Sequence, residues 1–295
     1  MEYYLYLLIN GLVVGSIYSL VALGFVVIYK ATKVVNFAQG ELVMVGAYIC
    51  FALTVQLHIP FFLSFLLTLG FSDILGLAVE RMALRPMLGE SSISVIMLTI
   101  GLSSVFKAIV QLFWGTNIRV FPSVLPSEPI SIAGLPVAPV YVAAFFLSVL
   151  LFLVFSIFFK YSRTGIAMRA TAFDQQAAQA MGISIKNIFA LSWCIACVVS
   201  SIGGVILGNI NGINVQLGQL GLMVFPAVIL GGLDSLLGAA IGGLIIGVLQ
   251  NLCDGLAKQF LGLGGFKEVA AFIILVIILM IRPYGLFGTK EIERV

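Results

Sequence analysis

Apolar runs about as long as a bilayer is thick recur from one end of this chain to the other. They lie near residues 4–29, 37–56, 61–79, 93–114, 140–159, 188–208, 222–233, 236–253 and 268–282. A helix needs roughly 20 apolar residues to cross a hydrocarbon core. The runs lack the short in–out alternation of a membrane β-barrel, and helices satisfy their own backbone where no water reaches. Only 9% of residues are charged, against about 25% in soluble domains. The expectation is an all-α polytopic integral membrane bundle of eight to ten spans. The seventh run, 222–233, covers under about 20 Å at ~1.5 Å per residue and is expected to be a short or re-entrant helix. The ninth is short as well. The first run follows "MEYY", with an acid and no basic region, and reads as a retained helix rather than a cleaved signal.

Charge position gives an orientation. Eleven of the fifteen Lys and Arg fall in four groups: Lys30 and Lys33; Arg81 and Arg85; Lys160, Arg163, Arg169 and Lys186; Arg282, Lys290 and Arg294. With alternate loops on one side, all four face together, and the positive-inside rule makes that side cytoplasmic. The N-terminus is then outside and the C-terminus inside, with Arg119, Lys258 and Lys267 on the outer side.

Two loops interrupt the spans. Residues 115–139 carry five prolines and read as a lid-like surface segment. Residues 160–186, "KYSRTGIAMRATAFDQQAAQAMGISIK", contain a helix signal over 171–181: Thr171 as cap, Asp174 in the first turn, an Ala-rich stretch and Gly182 as stop. A shift of 180 residues lays "VNFAQGEL" (35–42) over "VQLGQLGL" (215–222), matching valine, glutamine and leucine. Five spans separate the copies, and an odd number inverts them, the arrangement of inverted repeats in transporters. The whole chain, 1–295, then reads as one transmembrane domain with half-repeats 1–139 and 187–295.

Polar groups near membrane depth are the site candidates. Asn36, Gln39 and Glu41, with Gln216 and Gln219, either line or gate a path, with the freed backbone at Gly40, Gly218 and Gly221, or cap helices at the interface. Asp73 is an acid within a span; pairing with Lys107 or capping a helix accounts for it without a transport role. Asp234 lies between two short apolar stretches, as a helix cap would. Gly238-x-x-x-Gly242 and Gly243-x-x-x-Gly247 predict close helix packing, within the subunit or between subunits. Cys194 and Cys197 sit on an apolar helix as packing residues, and His58 has no second ligand nearby. Neither a metal, a cofactor, a nucleotide-binding loop nor a catalytic set is indicated, and no nucleic-acid partner is expected.

"KATKVVNFAQGELVMVGAY", "GIAMRATAFDQQAAQAMGI", "FPAVILGGLDSLLGAAIGG" and the C-terminal "RPYGLFG" together resemble, nearly end to end, the LivH-type permease subunits of bacterial importers for branched-chain amino acids powered by ATP-binding-cassette (ABC) subunits. The resemblance implies a homologous second permease subunit, two cytoplasmic ATPase subunits and a periplasmic amino-acid-binding protein as partners, besides membrane lipid, in a bacterial inner membrane. It also makes the segment around 171–181 the coupling element, with Arg169, Asp174, Ala178 and Gly182 in its motif. The glutamate that begins this motif in many other importers is absent here; Asp174 stands nearest to it. A permease of the same fold for urea, amides or simple sugars is the alternative cargo reading. An ion-coupled transporter using Asp73, Lys107 and Glu41 is the more distant one.

Overall fold

The computed structural model describes residues 2–87, 89–122, 128–132, 135–262, 264–282 and 285–288. Eleven α-helices carry the fold among them: α1 (Glu2–Thr32), α2 (Gln39–Phe51), α3 (Phe61–Val79), α4 (Ser92–Trp114), α5 (Pro139–Tyr161), α6 (Arg163–Phe173), α7 (Gln175–Ala180), α8 (Ile185–Asn211), α9 (Leu220–Gly231), α10 (Leu236–Leu261) and α11 (Lys267–Ile281). Among the described residues, seven helices are long and apolar enough to cross a membrane. Two further apolar helices are shorter, as expected for the seventh and ninth runs. α9 follows a 3-10 turn at Val215–Gln219, and α11 has 15 residues. The loop at 115–139 departs from an all-helical chain, because Ile130–Ile132 (β1) pairs antiparallel with Leu135–Val137 (β2). The basic residues Lys290 and Arg294 and the start of the "PYGLFG" stretch lie outside the described residues.

α3 shows why this pattern belongs in lipid. Its Phe62 is 73% exposed and its Ile74 67%, while Ser64, Thr68 and Ser72 are buried. A water-soluble helix would reverse that. Apolar side chains cost nothing against acyl chains, whereas hydroxyls need partners, so the small polar stripe turns inward. Thr68 and Ser72 each donate to the carbonyl four residues back at 2.7 Å, and Ser72 Oγ lies 2.6 Å from Ser201 Oγ of α8.

The chain forms two compact units. One comprises residues 27–127 and 153–222. At its centre α2 and α3 pack on α8, with glycines setting the approach. A Cβ at Gly46 would strike Ser201, one at Gly204 would strike Val43, and one at Gly76 would sit 2.7 Å from the Trp193 carbonyl oxygen. The α3 end is closed by Arg85, whose guanidinium donates twice to the fully buried Glu80 carboxylate, at 3.1 and 2.9 Å.

The other unit comprises residues 1–26, 128–152 and 223–295. Here α10 uses both of its small-residue motifs inside the subunit. Gly243 and Gly247 meet Ser19 and Gly15 of α1, while Gly238 and Gly242 meet Gly231 and Ala227 of α9. Ser19 Oγ also donates to the Ala240 carbonyl at 2.7 Å. Ser235, rather than the neighbouring Asp234, supplies the side-chain cap of α10, accepting from Gly238 N at 3.0 Å. The C-terminal residues Leu286 and Phe287 donate to the carbonyls of Leu230 and Gly231 at 2.7 and 3.1 Å, and so satisfy the end of α9.

Candidate functional site

The two polar stretches aligned by the 180-residue shift touch each other. α1 ends at Thr32 and α2 begins only at Gln39, so the chain at 33–38 is not helical. α8 ends at Asn211, and the chain turns through Gly212 (φ +77°) into the 3-10 turn. The two interrupted segments meet at glycine. A Cβ on Gly40 would strike the Gly218 carbonyl and lie 2.6 Å from Gly221 N, and one on Gly221 would lie 2.7 Å from Gly40 N. Backbone against backbone at this distance excludes any side chain larger than hydrogen.

The first stretch satisfies its polar groups internally. Asn36 Oδ1 accepts from Ala38 N at 3.0 Å, Asn36 Nδ2 donates to Gln39 Oε1 at 3.1 Å, and Gln39 Nε2 donates to Ser200 Oγ of α8 at 2.6 Å. Phe37 N donates to Thr99 Oγ1 of α4 at 3.2 Å. Asn36 thus bonds the backbone of the turn, while the N-cap position of α2 falls on Ala38 and has no side-chain bond. Glu41 faces the second stretch, since a Cβ at Gly218 would lie 3.1 Å from its Oε1. Ser103 and Lys107 of α4 act on the same carboxylate. Asp73 is exposed on α3. Gln216 and Gln219 differ from their counterparts in being exposed.

The segment at 160–186 is built from two helices instead of one. α6 runs to Phe173, and Asp174 breaks it with an extended backbone (φ −150°, ψ 112°), then caps α7 by accepting from Ala177 N at 2.9 Å. The expected helix over 171–181 with Thr171 as its cap is corrected accordingly. Thr171 lies inside α6, its hydroxyl turned back to the Ala167 carbonyl at 2.9 Å. An aspartate competes better than a mid-helix threonine for free N–H groups, because its carboxylate accepts from the next turn only when its own backbone leaves the helix. Gly182 ends the element at φ +86°, a conformation that glycine adopts without strain. Ala178 is buried, Arg169 donates to the Lys160 carbonyl at 3.1 Å, and Gln175 reaches the Ala31 carbonyl at 3.3 Å.

Two residues here escaped the sequence reading. Phe173 is 96% exposed and Met181 84%, one on each side of α7. The signal available was an aromatic directly before the polar "DQQ".

Long lipid-compatible helices, an inward polar stripe and two interrupted helical segments meeting at glycine define a multi-pass helical membrane protein. Its family follows from the sequence as a whole. Residues 7–282 match the family described as "Branched-chain amino acid transport system / permease component", and the chain belongs to that family. It is 32% identical to the high-affinity branched-chain amino acid transport system permease protein BraD of Pseudomonas aeruginosa, over 99% of this chain and 98% of that one. It is 31% identical to LivH of Escherichia coli K12 over the same shares, and 28% identical to a probable LivH of Methanocaldococcus jannaschii over 97% of this chain and 93% of that one. Among solved structures, PsaBC from Streptococcus pneumoniae in complex with Fab aligns with a TM-score of 0.52 at 15% identity, covering 94% of this chain and 91% of that one, a likeness of fold alone. As a permease component the chain is a transport subunit and not an enzyme.

Proposed function

We propose that this chain is the membrane-spanning permease subunit of an ABC importer that carries branched-chain amino acids inward. The observation that carries this reading is the end-to-end similarity to permeases named for that cargo. The partners are a homologous second permease, two cytoplasmic ATPase subunits and a periplasmic binding protein; the membrane is a bacterial inner membrane, with the N-terminus outside. Asp174, Ala178, Gly182, Arg169 and Thr171 form the coupling segment, and exposed Phe173 and Met181 give it apolar contacts for an ATPase cleft. A short capped helix on a glycine stop moves as a unit, which suits it to transmit closure of the ATPases.

Residues 33–42 and 212–222 are read as the facing halves of an inverted repeat. Their contact at Gly40, Gly218 and Gly221 supports that reading, and Asn36, Gln39, Glu41, Gln216 and Gln219 are its gate or path residues. Few charges and many apolar walls suit a substrate with a hydrophobic side chain.

The test is uptake by proteoliposomes holding the complex purified through this chain. Radiolabelled leucine, isoleucine or valine is expected to accumulate only with ATP and the binding protein on their respective sides. Uptake of urea or a sugar in their place would reassign the cargo. Uptake driven by an ion gradient without ATP would overturn the ABC mechanism.

A further inference from the structure

Two aromatic side chains whose hydrogen-bond donors are buried without partners pack side by side. Tyr48 of α2 is fully buried and its hydroxyl meets nothing; the indole Nε1 of Trp114, at the end of α4, is buried and unpartnered too. The two rings lie 5.5 Å apart between centroids, tilted by 45°. Buried donors are ordinarily paired, and one left without a partner costs its desolvation. Two such donors in one aromatic cluster call for an acceptor.

The surroundings specify what kind. Arg119 Nη2 donates to the Trp114 carbonyl at 3.2 Å, which sets an exposed guanidinium beside the cluster. Phe121, 6% exposed, closes the cluster: its ring lies 6.3 Å from that of Phe51 and 5.8 Å from that of Phe61. It also rests on Gly208 of α8, where a Cβ would come within 2.9 Å of it. The segment carrying it is pinned by a two-way backbone bridge, Arg119 N to Ile213 O at 2.8 Å and Ile213 N to Arg119 O at 2.7 Å.

We propose that Tyr48, Trp114 and Arg119 form the subsite for the substrate's α-carboxylate, held shut here by Phe121 and the Arg119–Ile213 bridge. The proposal rests on the amino-acid reading above. A carboxylate accepts from the phenol and the indole and is neutralised by the guanidinium. Trp Nε1 only donates, so the ammonium end cannot replace the carboxylate there. Two neutral donors and one exposed cation bind an anion without trapping it, which transport requires. When the bridge opens and Phe121 withdraws, the substrate's branched side chain takes the place of the Phe121 ring against Phe51 and Phe61.

The chain has two tryptophans, so Trp193→Phe leaves Trp114 as the sole reporter in this subunit. Trp193 Nε1 is also unpartnered, so that change removes no hydrogen bond. In the complete transporter reconstituted in nanodiscs, with partner tryptophans replaced, leucine is expected to shift Trp114 emission. Leucinol, which has the same side chain and ammonium but no carboxylate, is expected not to. Tyr48→Phe should raise the half-saturating leucine concentration about tenfold, the loss of one charge-assisted bond, and Trp114→Phe should raise the uptake KM by a similar factor. The proposal is overturned if leucine is transported with no change in emission, if leucinol responds equally, or if both Phe variants keep the wild-type KM. Failure of the wild-type complex to take up any branched-chain amino acid would overturn the underlying cargo reading instead.

Discussion

The stretches at 35–42 and 215–222 share three residues in eight and one contact, yet they treat their polar groups in opposite ways. Asn36 and Gln39 are sealed, bonded to each other, to the local backbone and to Ser200, whereas Gln216 and Gln219 are exposed. Similar letters thus do different work. The first stretch spends its amides holding a non-helical turn at a depth where unpaired groups are expensive. The second leaves its amides free for a path, a partner or the aqueous edge, and relies on Gly218 and Gly221 for its packing.

The largest expected effect tests the shared contact. Gly40→Ala drives a Cβ into the Gly218 carbonyl with backbone on both sides, and should cost about 3 kcal/mol, lowering Tm in detergent by roughly 10 °C. Gly70→Ala, with nothing within 4 Å, is the matched control and should leave Tm unchanged. Equal behaviour of the two would remove the contact from the argument.

The next effect separates the two stretches. Gln39→Leu strips the bonds to Ser200 and Asn36 and should cost about 2 kcal/mol, while Gln219→Leu should stay within about 0.5 kcal/mol. Thermal unfolding of the single and double variants reads both. A double variant departing from the sum by more than about 0.5 kcal/mol would mean that the amides act as a pair after all.

A smaller effect extends the contrast to the other polar region of the same unit. Asp174→Ala removes the α7 cap at about 1 kcal/mol, and ATP-driven uptake should fall, with Asp174→Ser restoring it because serine also caps. Uptake unchanged by Asp174→Ala in an assembled complex would argue against a rigid α7 as the transmitting element. The least change in stability, within about 0.5 kcal/mol, is expected for Phe173→Ser, which is open to solvent. That variant should lose co-purifying ATPase subunits; full retention would deprive the exposed pair of its docking role.

The sequence alone determined the lipid environment, the helical class and the positions of the long helices, because a bilayer demands about 20 apolar residues per crossing and no tertiary contact alters that need. It also marked the short seventh and ninth runs, the Gly182 stop and the polar letters of the interrupted helices. Tertiary structure decided the rest. Only packing puts Gly40 against Gly218 and Gly221, far apart along the chain, and turns Gln39 to Ser200 while Gln219 faces out. Which of Thr171 and Asp174 caps a helix depended on where the backbone leaves helical geometry, and it leaves at Asp174. The Tyr48–Trp114 cluster was invisible in sequence for the same reason: a buried donor lacks a partner only once every surrounding side chain is in place.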